Sequence, residues 1–337
     1  MRPLKIFLIE CARWVYWYPV RILLQTLPLR FGYMCSTLVS YPAVAIQKRK
    51  AMLIDRGLDS LFGDKITPQQ RHTLVRETLE NVFKRAIEVL WYPKLTPARC
   101  DKMFEYEGLE HVEAAQKEGR GVMLMHGHLG NCQMLMPGMG HKGYKLHQVA
   151  SRNPPEKFPG AIMAIPNWIR RRAYDIKLSY KETLPAHYLY TDGSMRKVLT
   201  SLKENGMLAA AVDGREGAQW IETDFLKQRA LFLTGTLNLV RMVRPVVLPT
   251  FVVRQKDDRH KLIIHPPMEF EFTDNKEEDI VRNTRKFLAL FEEYVEQYPT
   301  QYADVYWLED KLFVAPEEAM ARNNGEARAV SVNEETA

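Results

Sequence analysis

Two long segments of the chain carry apolar residues at every third or fourth position. Within residues 48–95 this spacing is accompanied by Thr67 followed by Pro68, a pair that commonly marks the first turn of a helix. Within residues 279–298 the same spacing continues without a break. We therefore expect both segments to be helical, each with one apolar face packed against a core.

Between these two segments, short apolar runs alternate with further helical patterns. The short runs are bounded by Gly, Pro or charged residues and predict buried strands at 121–125, 145–150, 207–212, 245–254 and 261–266. Helical patterns occur at 109–117, 159–174, 194–205 and 231–243. Because buried parallel strands have continuous apolar runs, the alternation predicts an α/β fold, a layered mixed and mostly parallel sheet flanked by helices. Ligands of such sheets bind beyond the carboxyl ends of the strands.

The N-terminal region is apolar and aromatic but interrupted. Residues 6–46 are rich in Leu, Val, Trp and Tyr, yet charged residues and prolines leave no run of about 18 apolar residues to form a simple spanning helix. The aromatic cluster 14–18 lies beside Arg13 and Arg21, a combination typical of a membrane interface. We predict a membrane-seated segment; a soluble helix packed on its own domain is the alternative.

These patterns divide the chain into three parts. Residues 1–47 are predicted to form a membrane-associated helical anchor, and residues 48–316 to form the α/β domain. Residues 317–337 carry few bulky apolar side chains and are predicted to be a disordered tail.

The charge of the chain is positive but does not by itself identify a partner. A net charge of +6 over 337 residues is compatible with nucleic acid, anionic lipid or a phosphorylated substrate. The basic clusters at 47–50 and at Arg170, Arg171 and Arg172 lack the length and aromatic interleaving of a nucleic-acid-binding arm, so no nucleic acid partner is expected. The second cluster is either a solvated helix face or a docking surface for an acidic carrier protein or lipid phosphate. The four cysteines form no CxxC pair, which indicates reduced thiols.

A histidine-containing turn follows the first predicted buried strand directly. Gly127 and Gly130 permit a tight turn, and Asn131 is suited to cap the helix that follows. Five residues separate His128 from Gln133, which allows a side chain at the strand end to face one inside the next helix. A histidine oriented by such a neighbour can remove a proton from an attacking hydroxyl.

Two other interpretations of this turn are open. Two histidines in a glycine-rich turn can be ordinary loop residues. His126 and His128 also form an H-x-H pair that can bind metal, but no acidic residue follows before Glu156. Metal hydrolases with this pair usually continue with further Asp and His ligands, so we predict no metal site.

Several motifs together resemble those of one family. Residues 128–133 (HLGNCQ) resemble the H-x4-D/E motif of bacterial lipid A biosynthesis late acyltransferases, which belong to the lysophospholipid acyltransferase superfamily. The similarity extends roughly from residue 27 to residue 313. Its other elements are 27–30 (LPLR), 143–146 (GYKL) with 151–154 (SRNP), 202–206 (LKENG) with Asp213, 234–236 (TGT) with 246–249 (VVLP), and 298–301 (YPTQ).

The resemblance implies a reaction and a cellular location. It implies transfer of a fatty acyl chain from the thioester of acyl carrier protein, or of CoA, to a lipid hydroxyl in lipid A or lipooligosaccharide biosynthesis. It places this reaction at the cytoplasmic face of the bacterial inner membrane, an anionic surface, without a metal or cofactor beyond the co-substrate.

The resemblance also implies roles for individual residues. His128 would be the general base, and Asp213 the catalytic aspartate at a strand end. Arg152 would bind substrate phosphate or stabilise developing negative charge, as a fixed cationic donor can. The residues expected to contact substrate are Asn131, Arg215, Arg170 and Arg171.

One motif residue departs from the family pattern. Gln133 stands where the family has Glu or Asp, and an amide can accept the imidazole N–H but contributes no charge. In serine proteases, replacing the orienting carboxylate by its amide lowers the rate by about 10⁴. Three outcomes are open: a slow enzyme, an enzyme that uses Asp213 or Glu216 as the acid, or a catalytically impaired lipid- or carrier-binding protein. The nearby Met134–Met139 run is either an acyl groove or core packing.

Overall fold

The structure, a computed structural model, describes residues 2–150, 168–190, 195–214 and 219–302. Arg152, Arg215, Glu216 and the predicted tail 317–337 lie outside these residues, as does the side chain of Arg170. The expectations for them therefore remain predictions.

Nine strands are formed in the described part of the chain. They are β1 (Phe104–Glu107), β2 (Val122–His126), β3 (Leu146–Ala150), β4 (His187–Tyr190), β5 (Met207–Ala211), β6 (Trp220–Phe225), β7 (Gln228–Leu233), β8 (Val246–Arg254) and β9 (His260–Ile264). Seven of them form one sheet in the order β1-β9-β8-β2-β5-β3-β4, and only β8 and β9 pair antiparallel within it. β6 and β7 form a separate antiparallel hairpin. The predicted mixed, mostly parallel sheet is confirmed.

Twelve α-helices surround the sheet in the same described ranges. They are α1 (Arg2–Val15), α2 (Arg21–Thr26), α3 (Leu29–Ile46), α4 (Lys48–Phe62), α5 (Pro68–Trp91), α6 (Pro97–Met103), α7 (Leu109–Lys117), α8 (Leu135–His141), α9 (Trp168–Glu182), α10 (Met195–Lys203), α11 (Gly235–Val243) and α12 (Lys276–Gln297). Both faces of the sheet are covered, so alternate residues of one strand enter different cores. Met123 packs with Phe287 and Phe291 of α12, whereas Leu124 packs with Val112 of α7 and with α8. Burial on both faces explains why the parallel strands read as continuous apolar runs.

The predicted five strands and the helices agree with the structure to within a few residues, with three corrections. Residues 48–95 form two helices, and the second begins at the Thr67 capping box, in which Thr67 and Gln70 bond each other's backbone N–H at 3.2 and 2.8 Å. The helix predicted at 231–243 begins only at Gly235, because residues 228–233 pair with β6. The helix predicted at 159–174 extends to Glu182.

Strands β1, β4, β6 and β7 were not predicted, because runs of four to six residues containing charges or tyrosines resemble loops in sequence.

The N-terminal region folds into helices α1 to α3, and α3 packs along α5. Within the described residues, no helix is both long and apolar enough to cross a membrane. Met134, Met136 and Met139 are fully buried in the core beneath the sheet, which supports core packing over an acyl groove for this run.

Candidate active site

The loop that follows β2 carries His128 and is tightly packed. At Gly127 a Cβ atom would lie 2.1 Å from the ring of Phe291, so no larger residue fits without displacing that ring. Gly130 has a φ of +61°, and a Cβ there would lie 1.9 Å from the carbonyl oxygen of Val252. These two contacts fix the path of the backbone on both sides of His128.

The side chain that orients His128 comes from the neighbouring strand. Asp213 follows β5, which pairs directly with β2, and its Oδ1 lies 2.7 Å from Nδ1 of His128. The backbone N–H of His128 also donates to both carboxylate oxygens, at 3.2 and 3.0 Å. The imidazole is 37% exposed, whereas the Asp213 side chain is 2% exposed. The pair therefore has a buried carboxylate and a histidine that substrate can reach.

Asp213 is held as a charged acceptor. The hydroxyl of Tyr302 donates to its Oδ2 at 2.9 Å, so each oxygen accepts from a side chain. Burial alone would raise the pKa of Asp213, but the charge of His128 and the hydrogen bonds from His128 and Tyr302 hold this pKa below its usual range. A carboxylate at Nδ1 places the proton of the neutral imidazole on that nitrogen and the basic lone pair on Nε2.

His126, two residues earlier, is a neutral buried histidine. Burial and the nearby His128 together lower its pKa to about 4. Its Nε2 lies 3.3 Å from the amide nitrogen of Gln148, and its Nδ1 lies 3.2 Å from the carbonyl oxygen of Gly127. The ring of His126 packs at the base of the loop that carries His128.

Asn131 does not cap a helix, contrary to the prediction. Its side chain makes no bond to the following turn, but points inward and donates to Oε2 of Glu88. Residues 132–134 form a single 3₁₀ turn, so no regular α-helical N-terminus is present for Asn131 to cap. Because its side chain is buried, the geometry supports a positioning role for Asn131, and the predicted contact with substrate does not fit this placement.

Glu88 is the centre of a buried polar cluster beneath the loop. Tyr33, Arg254 and His260 donate to its Oε1 at 2.6, 2.7 and 2.7 Å, in addition to Asn131. Burial would raise the pKa of Glu88, but the charges of Arg254 and His260 hold it well below its usual range. The cluster ties α3, α5, β8 and β9 to the His128 loop.

The side chain of Gln133 is hydrogen-bonded to Tyr92 and not to the His128–Asp213 pair. The Tyr92 hydroxyl donates to its Oε1 at 3.5 Å, a long contact, and its side chain is exposed. The motif position that the family fills with an acid therefore faces Tyr92, while a different residue supplies the carboxylate at His128.

The remaining predicted residues are placed as follows. Arg171 is exposed and forms a 3.3 Å ion pair with Asp175 one turn later. Among the residues that the structure describes, no three His, Cys, Asp or Glu side chains lie close enough to share a metal ion.

Sequence reasoning missed Tyr302 and Glu88. Tyr302 directly follows the 298–301 motif, which was the available signal. Glu88 lies inside a helix at an ordinary polar position, and nothing in its neighbours along the chain marks it as buried.

Comparisons with known proteins identify the family of this chain. The family described as bacterial lipid A biosynthesis acyltransferase matches residues 5–312. The lipid A biosynthesis palmitoleoyltransferase of Escherichia coli (strain K12) is 21% identical over 311 residues, covering 90% of this chain and 92% of that protein. The lipid A biosynthesis lauroyltransferase of the same organism is 25% identical over 268 residues, covering 75% and 79%.

The family match spans nearly the whole chain and includes the loop, both strand ends and the C-terminal turn that build the His128 site. The protein therefore belongs to the bacterial lipid A biosynthesis acyltransferase family and is an O-acyltransferase.

Proposed function

We propose that this enzyme transfers a fatty acyl chain from a thioester, of acyl carrier protein or of CoA, to a hydroxyl of a lipid A precursor, with His128 as general base. The observation that carries the proposal is the 2.7 Å contact between His128 Nδ1 and Asp213 Oδ1 on an imidazole that is 37% exposed. This is the arrangement that makes Nε2 basic.

The reaction needs no covalent enzyme intermediate. The acceptor hydroxyl gives its proton to Nε2 of His128 while its oxygen attacks the thioester carbonyl. The tetrahedral intermediate collapses, the C–S bond breaks, and the imidazolium returns its proton to the leaving thiolate. Asp213 stabilises the imidazolium between these two steps, because it stays ionised and keeps its hydrogen bond to Nδ1. Arg152 remains our predicted cation at the substrate phosphate or at the oxyanion.

The position of Asp213 supports an active enzyme over a catalytically impaired binding protein. The impaired alternative arose because Gln133 brings no charge to the motif. The buried carboxylate of Asp213 contacts Nδ1 of His128 and supplies both the orientation and the charge that Gln133 lacks. Gln133 contacts Tyr92 instead.

We also propose that the enzyme works at a membrane surface, the cytoplasmic face of the bacterial inner membrane. The support for this proposal is that the apolar face of α3 points outward and its polar face points into the protein. The face of α3 that packs on α5 carries small and polar side chains. On this face Tyr33 donates to Glu88 at 2.6 Å and Thr37 donates to Glu80 at 2.8 Å. The opposite, solvent-exposed face is apolar and consists of Phe31, Met34, Leu38, Val39, Tyr41 and Ile46.

An apolar face of this extent beside cations is suited to lipid. Lys48, Arg49 and Lys50 follow α3 directly and are exposed. Such a helix gains by burying its apolar face among acyl chains while the lysines and arginine meet anionic headgroups. The lipid acceptor would then be taken from the same surface.

The catalytic assignment is tested by His128→Ala and Asp213→Asn, assayed for acyl transfer from a thioester to lipid in detergent micelles. We expect His128→Ala to abolish detectable transfer and Asp213→Asn to lower kcat by roughly 10³–10⁴-fold, as loss of the orienting carboxylate does in serine proteases. The matched control is exposed His72→Gln, which should leave kcat unchanged. Native-rate product formation by His128→Ala would overturn the proposal.

A further inference from the structure

A second group of polar side chains lies beside the His128 loop, on one face of the sheet. Tyr188 of β4 stands next to Gln148 of β3 in the sheet register, and Gln148 in turn contacts His126. Lys181 of α9 covers Tyr188, with Nζ 4.8 Å from the centre of its ring. Cys132, four residues after His128, is within electrostatic range of both Lys181 and Tyr188. The group is therefore at the same end of the sheet as the catalytic pair.

One hydrogen-bond donor in this group lacks an acceptor, and a cation lies beside it. Within the part of the chain that the structure describes, the buried hydroxyl of Tyr188 has no hydrogen-bond partner. Lys181 is half-buried against the ring of Tyr188, and within the described ranges no carboxylate pairs with its ammonium group. A buried donor without an acceptor is rare and unfavourable, so the Tyr188 hydroxyl beside this cation points to a ligand that supplies the missing acceptor.

The electrostatics of the group favour an anion. Burial and the nearby Lys177 together lower the pKa of Lys181 to about 8, so the ammonium form still predominates at neutral pH. Burial also raises the pKa of Tyr188, which keeps its hydroxyl protonated and able to donate. Gln133, which follows Cys132, brings no negative charge here.

We propose that Lys181 and Tyr188 form a phosphate-binding subsite that holds a phosphorylated substrate beside His128. The inference rests on the proposed acyltransferase function. Phosphate is the chemistry shared by the two substrates, since it occurs on lipid headgroups and on the phosphopantetheine arm of acyl carrier protein and CoA. Its oxygens can accept from the ammonium and from the phenol at once.

The experiment measures binding by titration calorimetry and does not require turnover. One pair of probes is 4′-phosphopantetheine and pantetheine, for the donor arm. The other pair is dihexanoyl phosphatidic acid and dihexanoylglycerol, below their critical micelle concentrations, for a lipid headgroup. We expect the wild type to bind the phosphorylated member of at least one pair about tenfold more tightly, equal to about 1.4 kcal/mol. The pair that shows the preference identifies the source of the phosphate.

The variants are Lys181→Met and the matched control Lys203→Met, an exposed lysine on α10. Lys181→Met should reduce the phosphate preference to less than about twofold, equal to roughly 0.4 kcal/mol, and Lys203→Met should retain it. Equal affinities within both probe pairs for the wild type, or an unchanged preference in Lys181→Met, would overturn the subsite.

Two further measurements separate this result from folding and from catalysis. Lys181→Met should melt no lower than the wild type, because Lys181 pairs with no carboxylate of the described residues and Met can still pack on the ring of Tyr188; a clear drop in Tm would make Lys181 a structural residue and overturn the subsite. His128→Ala should keep the phosphate preference while losing transfer, so that failure of the subsite and failure of the proposed reaction give different results.

Discussion

At the scale of single residues, the carboxylate beside His128 comes from Asp213 and not from position 133 of the motif. Gln133 contacts Tyr92, and Asp213 contacts His128. An acid at position 133 would therefore be a second carboxylate near the site, not the one at Nδ1.

The first prediction concerns Gln133. Gln133→Ala should lower kcat by less than about tenfold, and Gln133→Glu should change it only a few-fold, because Asp213 already orients and stabilises the imidazole. Both are measured by steady-state acyl transfer. A rise of about 100-fold in Gln133→Glu would contradict this expectation and favour the impaired-site alternative.

The second prediction concerns Glu88, the buried acceptor of four donors. Glu88→Gln should lower the free energy of unfolding by about 3 kcal/mol or more, because it removes the charge opposite Arg254 inside the protein. The measurement is urea unfolding. Glu118→Gln, which breaks the exposed pair with Arg120, is the control and should change stability by less than about 1 kcal/mol. Equal effects of the two substitutions would refute the special role of Glu88.

At the scale of elements, α3 is a helix whose apolar side faces away from its own protein. Tyr33 and Thr37 point inward to carboxylates of α5, whereas Leu38 is 62% exposed. A helix of a water-surrounded protein normally has the opposite arrangement. The carboxylate of Glu88 accepts from Tyr33 of α3 and also from Asn131, so it connects α3 to the His128 loop.

The third prediction tests the lipid contact of α3. Leu38→Asp should weaken binding to vesicles that contain anionic lipid by roughly tenfold or more, because a charge replaces an exposed leucine that would be buried in the lipid. Co-sedimentation of the full-length protein with the vesicles provides the measurement. Met242→Asp, at an equally exposed apolar position on α11, is the control and should bind as the wild type does. Unchanged binding of Leu38→Asp would exclude α3 as the docking face.

At the scale of the whole molecule, strand order assembles the site. β2 lies in the middle of the sheet between β8 and β5, so the ends of β2 and β5 bring His128 and Asp213 together. α12 and the C-terminal turn close the site from one side, through Phe291 and Tyr302. A site built from so many distant segments depends on the stability of the entire fold.

The fourth prediction concerns that stability and pH. Because His126 has a folded-state pKa of about 4 against an ordinary value of 6.5, the unfolded chain binds a proton first as the pH falls. Stability from this group is fully present above pH 6.5 and is lost as the pH falls towards 4, by about 2 kcal/mol between pH 7.5 and pH 5.

Urea unfolding at these two pH values provides the measurement. His126→Gln should show a pH dependence smaller by about 2 kcal/mol, whereas exposed His72→Gln should keep the dependence of the wild type. An unchanged dependence in His126→Gln would show that folding does not lower the pKa of His126, and would contradict this prediction.

The sequence alone determined most of the helices and buried strands and singled out His128, the base that we propose. The apolar periodicity predicted α5, α12 and five of the sheet strands, because helices and buried strands bury every third-to-fourth residue or a continuous run. The turn after β2 identified His128, because its glycines and its motif are contiguous. The capping box at Thr67 was equally visible, since both partners lie within four residues.

Only the tertiary structure decided the partners of these residues. Asp213 is 85 residues from His128, and their contact depends on β5 pairing with β2, which no local pattern records. Asn131 was expected to cap a helix because only its neighbours along the chain are visible in sequence. In the structure its side chain donates to Glu88 of α5 in the interior. The apolar composition of residues 6–46 was visible in sequence, but the outward direction of the apolar face of α3 followed only from the polar contacts with α5. Local spacing encodes elements; strand order and packing decide which of their side chains meet.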